Sequence, residues 1–125
     1  MKVAVPVFGT RVSPRFDCGT GLLVADVADG TVTRSEHLPD ATSNPLLRIA
    51  RLRELGVEAV VCGAVTGFVR RHLVANGIEV YPWVFCEAGE ALEALARGEL
   101  SAGAPAGMRR GRGSGRRRRG RGGPR

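Results

Sequence analysis

Three cysteines, spread widely along the chain, are the residues best suited to chemistry: Cys18, Cys62 and Cys86. Thiolates are soft ligands that suit iron–sulfur clusters, zinc and copper(I). No two of these cysteines form a CxxC pair, and an odd number at wide spacing is not typical of a secreted disulfide framework. The sequence therefore indicates free thiols in a reducing compartment, either as metal ligands or as filling for the core.

The first cysteine lies in an unusual loop, "VSPRFDCG", which collects Arg15, Asp17 and Cys18 between two apolar segments. A chain this small would manage with a shorter connector. A thiol in a polar, glycine-flanked loop has few apolar neighbours to pack against, which favours a functional role for Cys18. We expect this loop to form the rim of a binding site, stiffened by Pro14.

Short apolar runs and helical periodicity divide most of the chain into alternating elements. Asp29-Gly30 between two β-rich runs is a strong hairpin signal, because both residues tolerate positive φ. Ser43-Asn44-Pro45 is a helix start, and Gly56 is typical of a helix end. The predicted strands are Lys2–Phe8, Leu22–Ala28, Thr31–His37, Glu58–Cys62 and Ile78–Tyr81, and the predicted helices are 45–55, Thr66–Asn76 and Glu87–Arg97.

The order of these elements is β-β-β-α-β-α-β-α, which predicts an α/β fold. Strand–helix–strand units require parallel pairing with right-handed crossovers, whereas the opening hairpin supplies antiparallel strands. We expect a mixed five-stranded sheet in the order 3-2-1-4-5, with helices on both faces. Residues 1–100 would form this domain, and the Gly/Arg-rich residues 101–125 have too little to bury and are predicted to be disordered.

In open α/β sheets, ligands bind beyond the carboxyl ends of the parallel strands. Three segments should reach that edge, and each contains one cysteine, so the thiols of Cys18, Cys62 and Cys86 are predicted to converge as metal ligands. Cys62 and Cys86 precede predicted helix N-termini, which lower a thiol pKa. The competing interpretation is that Cys62, closing an apolar strand, packs in the core. Gly63 follows it at a sharp turn and is predicted to lie against any ligand.

The histidines and the early carboxylates are weaker candidates for a metal or catalytic site. His37 and His72 have no partner at a metal-binding spacing. Asp17 and Asp26 are the early carboxylates nearest the predicted sheet centre, and they do not form the convergent set of three or four that a two-metal nuclease would need. The sequence therefore favours a protein that binds a group over one that catalyses a reaction, and we expect that it is not an enzyme.

The charge is concentrated at one end. Residues 109–125 contain nine arginines and no acid, while the remaining residues contain 10 basic and 12 acidic side chains. Such an arm attracts phosphates without sequence preference, which makes an RNA- or nucleic-acid-associated protein the alternative function. No aromatic residues interleave to stack on bases. The residues of this alternative site are Arg109, Arg110, Arg112, Arg116, Arg117, Arg118, Arg119 and Arg121.

No apolar run is long enough for a transmembrane helix. The N-terminal "MKVAVPVFG" is too short for a signal peptide and lacks a small-residue cleavage site. These observations predict a cytoplasmic protein that does not bind membranes.

The segments "MKVAVPVFGTRVSPRFDCG", "LLVADVADG", "LRELGVEAVVCGAVTG" and "GIEVYPWV" together resemble the dinitrogenase iron–molybdenum cofactor biosynthesis family, over roughly residues 1–100. The resemblance implies an RNase H-like fold in a stand-alone member. It also implies a small non-catalytic protein that binds or carries an iron–sulfur or iron–molybdenum-type cluster or its precursor, with cofactor-assembly or acceptor proteins as partners. Together with the positions at the predicted sheet edge, this singles out Arg15, Asp17, Cys18, Cys62, Gly63 and Cys86 as the expected cofactor-binding residues.

One departure from the family pattern concerns the loop. Members with cofactor-binding behaviour often carry "SPHFG", whereas this chain has Arg15 at the histidine position and Asp17 at the glycine position. Three alternatives follow from the resemblance. Cys18 replaces the histidine as a ligand, Arg15 pairs with an anionic cluster through charge-assisted hydrogen bonds, or cofactor binding has been lost.

The first prediction concerns the domain boundary. Because residues 1–100 contain every periodic apolar segment, truncation after Leu100 should leave the midpoint of thermal unfolding almost unchanged. Circular dichroism melting of the full and truncated chains measures this. A large loss of cooperativity in the truncated chain would show that residues 101–125 pack on the domain.

Overall fold

Six strands and three helices form along residues 1–100, the part of the chain that the computed structural model describes. The predicted disordered segment, residues 101–125, lies outside the described residues. The elements are β1 (Lys2–Phe8), β2 (Arg11–Val12), β3 (Gly21–Ala28), β4 (Thr31–Pro39), α1 (Pro45–Glu54), β5 (Ala59–Val61), α2 (Gly67–Ala75), β6 (Glu79–Tyr81) and α3 (Ala88–Ala96).

The strands make one mixed sheet, as the element order predicts. Along its path the order is β4-β3-β1-β5-β6, and β2 pairs with β1 outside this path. β1 is parallel to β5, and β5 is parallel to β6, whereas the β1–β3 and β3–β4 pairs are antiparallel. The predicted count of five strands, and an order with no place for β2, are therefore wrong. Two residues are too few to give a periodic signal. The RNase H-like description of this fold stays a prediction.

The inner strands of the sheet are buried on both faces, because their alternate residues enter two separate cores. Val3, Val5 and Val7 of β1 pack with helix α3, on one face. Ala4 packs on the other face, with helices α1 and α2. The central strand β1 is thus apolar from Val3 to Phe8, as is typical of a strand covered on both sides.

The helices begin within one residue of their predicted starts, and α1 and α2 have a polar side-chain cap, whereas the Glu87 side chain makes no capping bond to α3. The Asn44 side chain accepts hydrogen bonds from the backbone N–H groups of Leu46 and Leu47, and Thr66 accepts one from Val69. These oxygens satisfy N–H groups that have no partner inside the helix. No helix within residues 1–100 is long and apolar enough to cross a membrane.

The apolar faces of α1 and α2 are narrower than the spacing of their apolar residues indicates. In α1 the buried apolar residues are Ile49 and Leu52, and in α2 they are Val69 and Leu73. The other large apolar side chains of these helices are half exposed to solvent: Leu46, Leu47, Phe68 and Val74. A helix that lies flat on a sheet covers it with a limited stripe, so apolar residues outside that stripe remain in water.

Helix α1 also buries a charge. Arg48 is 0% exposed, and its guanidinium donates to the backbone carbonyls of Phe16 (2.7 Å) and Cys18. It also donates to the backbone carbonyl of Asp40 (2.8 Å) and forms an ion pair with the Asp40 carboxylate at 3.4 Å. This cation joins α1 to two separate loops, one of which is the cysteine-bearing loop.

The second prediction follows from this contact. Arg48→Met keeps an apolar chain of similar length but leaves the Asp40 carboxylate and several carbonyls buried without a donor. Breaking a buried pair in this way costs about 3–5 kcal/mol of the free energy of unfolding. Urea denaturation measures the loss. Arg53→Met, at an exposed arginine of the same helix, is the control and should change stability by less than about 0.5 kcal/mol. Equal losses in the two variants would contradict the role of Arg48.

Candidate rim site

Two loops meet at the carboxyl edge of the parallel strands. The rim loop, residues 13–20, follows β2, and the turn loop, residues 62–66, follows β5. The Ala64 N–H donates to the Pro14 carbonyl at 2.7 Å, and the Phe16 N–H donates to the Ala64 carbonyl at 2.9 Å. These bonds form an isolated parallel bridge between Arg15 and Ala64. Backbone pairing therefore fixes the rim loop against the start of helix α2.

Gly63 is what allows the two loops to approach. A Cβ atom at Gly63 would lie 2.4 Å from the Pro14 carbonyl oxygen and 2.6 Å from the Ser13 oxygen. Both distances are far below van der Waals contact, so no other residue fits without moving the loops apart. The sequence predicts that Gly63 lies at a sharp turn against any ligand. The structure shows a close approach there to the rim-loop backbone, and the contact with a ligand stays a prediction.

A cavity of about 140 Å³ opens beside this bridge. Its walls combine buried apolar groups, Phe16 and Val69, with polar groups at the mouth, Arg15, Asp17 and Thr66. The complete lining is Arg15, Phe16, Asp17, Ala64, Val65, Thr66 and Val69. Since pockets that enclose a small molecule measure roughly 300–1,000 Å³, this rim cavity suits a small group or one part of a larger ligand.

Arg15 and Asp17 form an ion pair across the mouth of the rim cavity, at 3.0 Å. The Arg15 side chain is 60% exposed, and exposed pairs of this kind contribute little to stability. Helix α2 has no acidic residue in its first turn, so the positive end of its dipole is not offset there. An anionic ligand at the mouth would therefore meet a guanidinium that can exchange partners.

Cys62 lies away from this cavity. Its side chain is fully buried in the core formed with α1 and α2. Burial raises its thiol pKa to about 12, although Arg70 nearby lowers it in part. The prediction that a following helix N-terminus lowers this pKa is wrong, because loss of solvation outweighs the favourable charges. At neutral pH Cys62 is a neutral thiol that fills the core.

Cys86 lies on the opposite side of the sheet. It is half-buried against the core formed with α3. Burial raises the pKa of the Cys86 thiol as well, and Glu90 adds to the effect. The expected lowering of this pKa by the start of α3 is therefore also wrong. Because Cys62 and Cys86 belong to opposite faces, the sheet itself separates them.

Cys18 is the thiol that remains on the rim loop, two residues beyond Phe16. It is half-buried, and its backbone N–H donates to the Arg15 carbonyl at 3.2 Å. Among residues 1–100, no group of three or more His, Cys, Asp or Glu side chains is placed to hold a metal ion. The convergence of Cys18, Cys62 and Cys86 on one metal is not found, and one rim thiol is left beside Arg15 and Asp17.

Three residues that support the rim were not singled out from the sequence. Thr66 caps α2 and lines the rim cavity; its position just before an apolar periodic run is a recognisable capping signal. Ser13 is buried, and its hydroxyl donates to the Arg15 carbonyl at 2.9 Å. Arg48 holds the loop from below. Neither Ser13 nor Arg48 gives a local sequence signal, since their partners are distant backbone carbonyls.

The fold and rim define a small α/β protein with a mixed open sheet and a candidate binding edge, and comparison with known proteins places it in a family. The family model described as dinitrogenase iron-molybdenum cofactor matches residues 1–98. The chain therefore belongs to the dinitrogenase iron-molybdenum cofactor family, as the resemblance in the sequence implies. Among curated proteins, no relative of significant similarity is found.

Solved structures share the fold at low sequence identity. The apo form of the orange protein from Desulfovibrio gigas has a TM-score of 0.71 at 21% identity, over 83% of this chain and 93% of that protein. A candidate dinitrogenase from Methanocaldococcus jannaschii has a TM-score of 0.65 at 20% identity, over 82% of this chain and 93% of its own. A candidate NifB protein from Thermotoga has a TM-score of 0.63 at 24% identity, over 81% and 91%. These likenesses establish a shared fold.

The third prediction tests the contact between the loops. Gly63→Ala forces a Cβ against the Pro14 carbonyl, and overpacking of this kind costs about 1–3 kcal/mol of the free energy of unfolding. Gly89→Ala is the matched control, because a Cβ there meets no atom within 4 Å and Gly89 lies inside helix α3. The control should gain about 0.5–1 kcal/mol. Urea denaturation of both variants measures the difference, and a neutral Gly63→Ala would refute the tight contact.

Proposed function

We propose that this protein binds an iron–sulfur or iron–molybdenum-type cluster, or its precursor, as cargo at the rim cavity and passes it on without catalysing a reaction. The observation that carries the proposal is the rim cavity itself. It lies at the carboxyl edge of the parallel strands, with Arg15 at its mouth, in a chain of the dinitrogenase iron-molybdenum cofactor family.

The lining of the rim cavity favours an anion held by charge and packing. Arg15 supplies a guanidinium, which forms strong charge-assisted hydrogen bonds with anionic groups. Phe16 and Val69 supply an apolar floor that lowers the local dielectric and strengthens such a bond. These residues do not surround the ligand with thiolates, because Cys62 and Cys86 are held in opposite cores.

Cys18 is not among the residues that line the rim cavity, but it is the one thiol of the rim loop and follows Asp17 directly in the chain, so we assign it a single soft bond to cargo that extends beyond the cavity. It is half-buried on the rim loop, and its backbone N–H donates to the Arg15 carbonyl. One protein ligand, helped by a cation, gives a site that holds a cluster loosely. Weak attachment suits a carrier, because the acceptor must be able to remove the cargo.

Partner proteins follow from the same proposal. A carrier receives its cargo from an assembly protein and gives it to an acceptor. The alternative, nucleic-acid binding through the arginines of residues 109–125, rests on residues outside those described, and neither the family nor the similar structures point to it. Cytoplasmic location and the absence of catalysis stay predictions within this proposal.

The fourth prediction separates the contributions of charge and thiol. Anaerobic incubation with iron and sulfide, followed by desalting, should leave the wild-type chain with bound iron that absorbs in the visible range. Cys18→Ser keeps the size but weakens soft-metal binding, so retained iron should fall several-fold. Arg15→Ala should lower it as well and should remove most of its dependence on salt, because exposed charge interactions are screened.

The controls are variants with the same chemistry elsewhere. Cys86→Ser removes a thiol on the other face of the sheet, and Arg53→Ala removes an exposed arginine of α1; both should retain iron like the wild type. If Cys18 and Arg15 contact one ligand, the effects of their substitutions should not add. Retention at the wild-type level in both Cys18→Ser and Arg15→Ala would refute the rim site.

A further inference from the structure

Strand β4 leaves one edge of the sheet open. It is the longest strand, with nine residues, and pairs on one side with β3. No other element of residues 1–100 pairs with its outer side. An edge strand presents a row of unpaired N–H and C=O groups, which form a template for another strand. The opposite edge, β6, has three residues and offers a much shorter template.

The middle of β4 is uncovered on both faces. Five consecutive residues, Thr33 to His37, are exposed, whereas Val32 and Leu38 near its ends are half-buried. The helices thus pack over the inner strands and stop short of the centre of this edge. A second strand laid alongside would meet no helix or loop of the described chain at that centre.

Two opposite charges flank the centre of β4. Arg34 and Glu36 lie opposite Asp26 and Val24 of the neighbouring strand, so both project from the same face of the sheet. Neither forms an ion pair with another residue in the described part of the chain. Because Arg34 and Glu36 are two residues apart on one face, a strand with the opposite charges at the same spacing would pair with both.

We propose that β4 pairs antiparallel with β4 of a second copy of this chain, about a two-fold axis through Ser35. In that register Arg34 of each copy lies opposite Glu36 of the other, which gives two identical pairs of opposite charge. Directly opposed side chains on antiparallel strands are about 4.5–5.5 Å apart at Cβ, close enough for such pairs to attract. The interface is isologous and joins the two sheets into one.

Neighbouring registers are unfavourable. With a two-fold axis normal to the sheet, the same face of both copies points in the same direction, so directly opposed residues must project from the same face. One strand can therefore slide along the other only by two residues at a time. An axis through Arg34 places that side chain against its own copy, and an axis through Glu36 does the same for the carboxylate. Like charges directly opposite destabilise the pairing, which leaves the register centred on Ser35.

A bulge limits the strength of this contact. Asp26 pairs with Arg34 and Val27 pairs with Val32, so Thr33 is an extra residue in β4. Bulges bend an edge strand and shorten the stretch that can pair. The dimer is therefore weak. Its population rises with protein concentration and falls with salt, which screens its exposed charge pairs.

Charge exchange tests the register directly, using sedimentation velocity of the full chain after nuclease treatment, over a wide range of concentration. Wild type should shift from monomer to dimer as concentration rises. Arg34→Glu alone and Glu36→Arg alone each create two like-charge pairs and should weaken association by about tenfold or more. A mixture of these two variants should form a heterodimer, and the double variant Arg34→Glu/Glu36→Arg should restore the homodimer.

Arg71→Glu is the control, since it makes the same charge change at an exposed residue of helix α2 and should associate like the wild type. Circular dichroism confirms that each variant folds. Wild type that stays monomeric at every concentration overturns the proposal. If the single variants dimerise like the wild type, self-association uses another surface and the proposal is overturned. The same holds if neither the mixture of single variants nor the double variant restores the dimer.

Discussion

The buried guanidinium of Arg48 holds the rim loop in place, and the site depends on it. This one side chain donates to the backbone carbonyls of Phe16 and Cys18 from below, and to Asp40 in a separate loop. A buried cation is stable only when its donors find partners. Helix α1 therefore cannot reach its packed position unless both loops adopt theirs, and the rim forms together with the core.

A second constraint on the rim loop comes from backbone contacts with the turn loop. The missing side chain at Gly63 lets the turn loop pair with Pro14 and Phe16, and the same glycine carbonyl accepts from the Trp83 N–H at 2.9 Å. Trp83 has a φ of 65°, a conformation that few residues other than glycine adopt. The segments that follow β2, β5 and β6 are thus tied into one rim.

The chemistry of that rim is decided by which groups the two cores remove from water. Cys62 and Cys86 follow strands β5 and β6, and the pleat and the chain path direct them into opposite faces. Desolvation raises the pKa of both thiols, in spite of the nearby helix starts. What remains at the edge is the thiol of Cys18 with Arg15 and Asp17, a group that favours charge recognition over multidentate coordination.

The sequence by itself determined the order of the main elements, the helix cap at Asn44 and the family, because these depend on periodicity and turn chemistry between near neighbours. It also indicated that Gly63 marks a close approach. Only the tertiary structure decided the short strand β2, the burial of Arg48, the separation of the cysteines and the identity of the neighbour that Gly63 meets. Those features depend on contacts between residues far apart in the chain, and on the face of the sheet that each side chain enters, which no local pattern encodes.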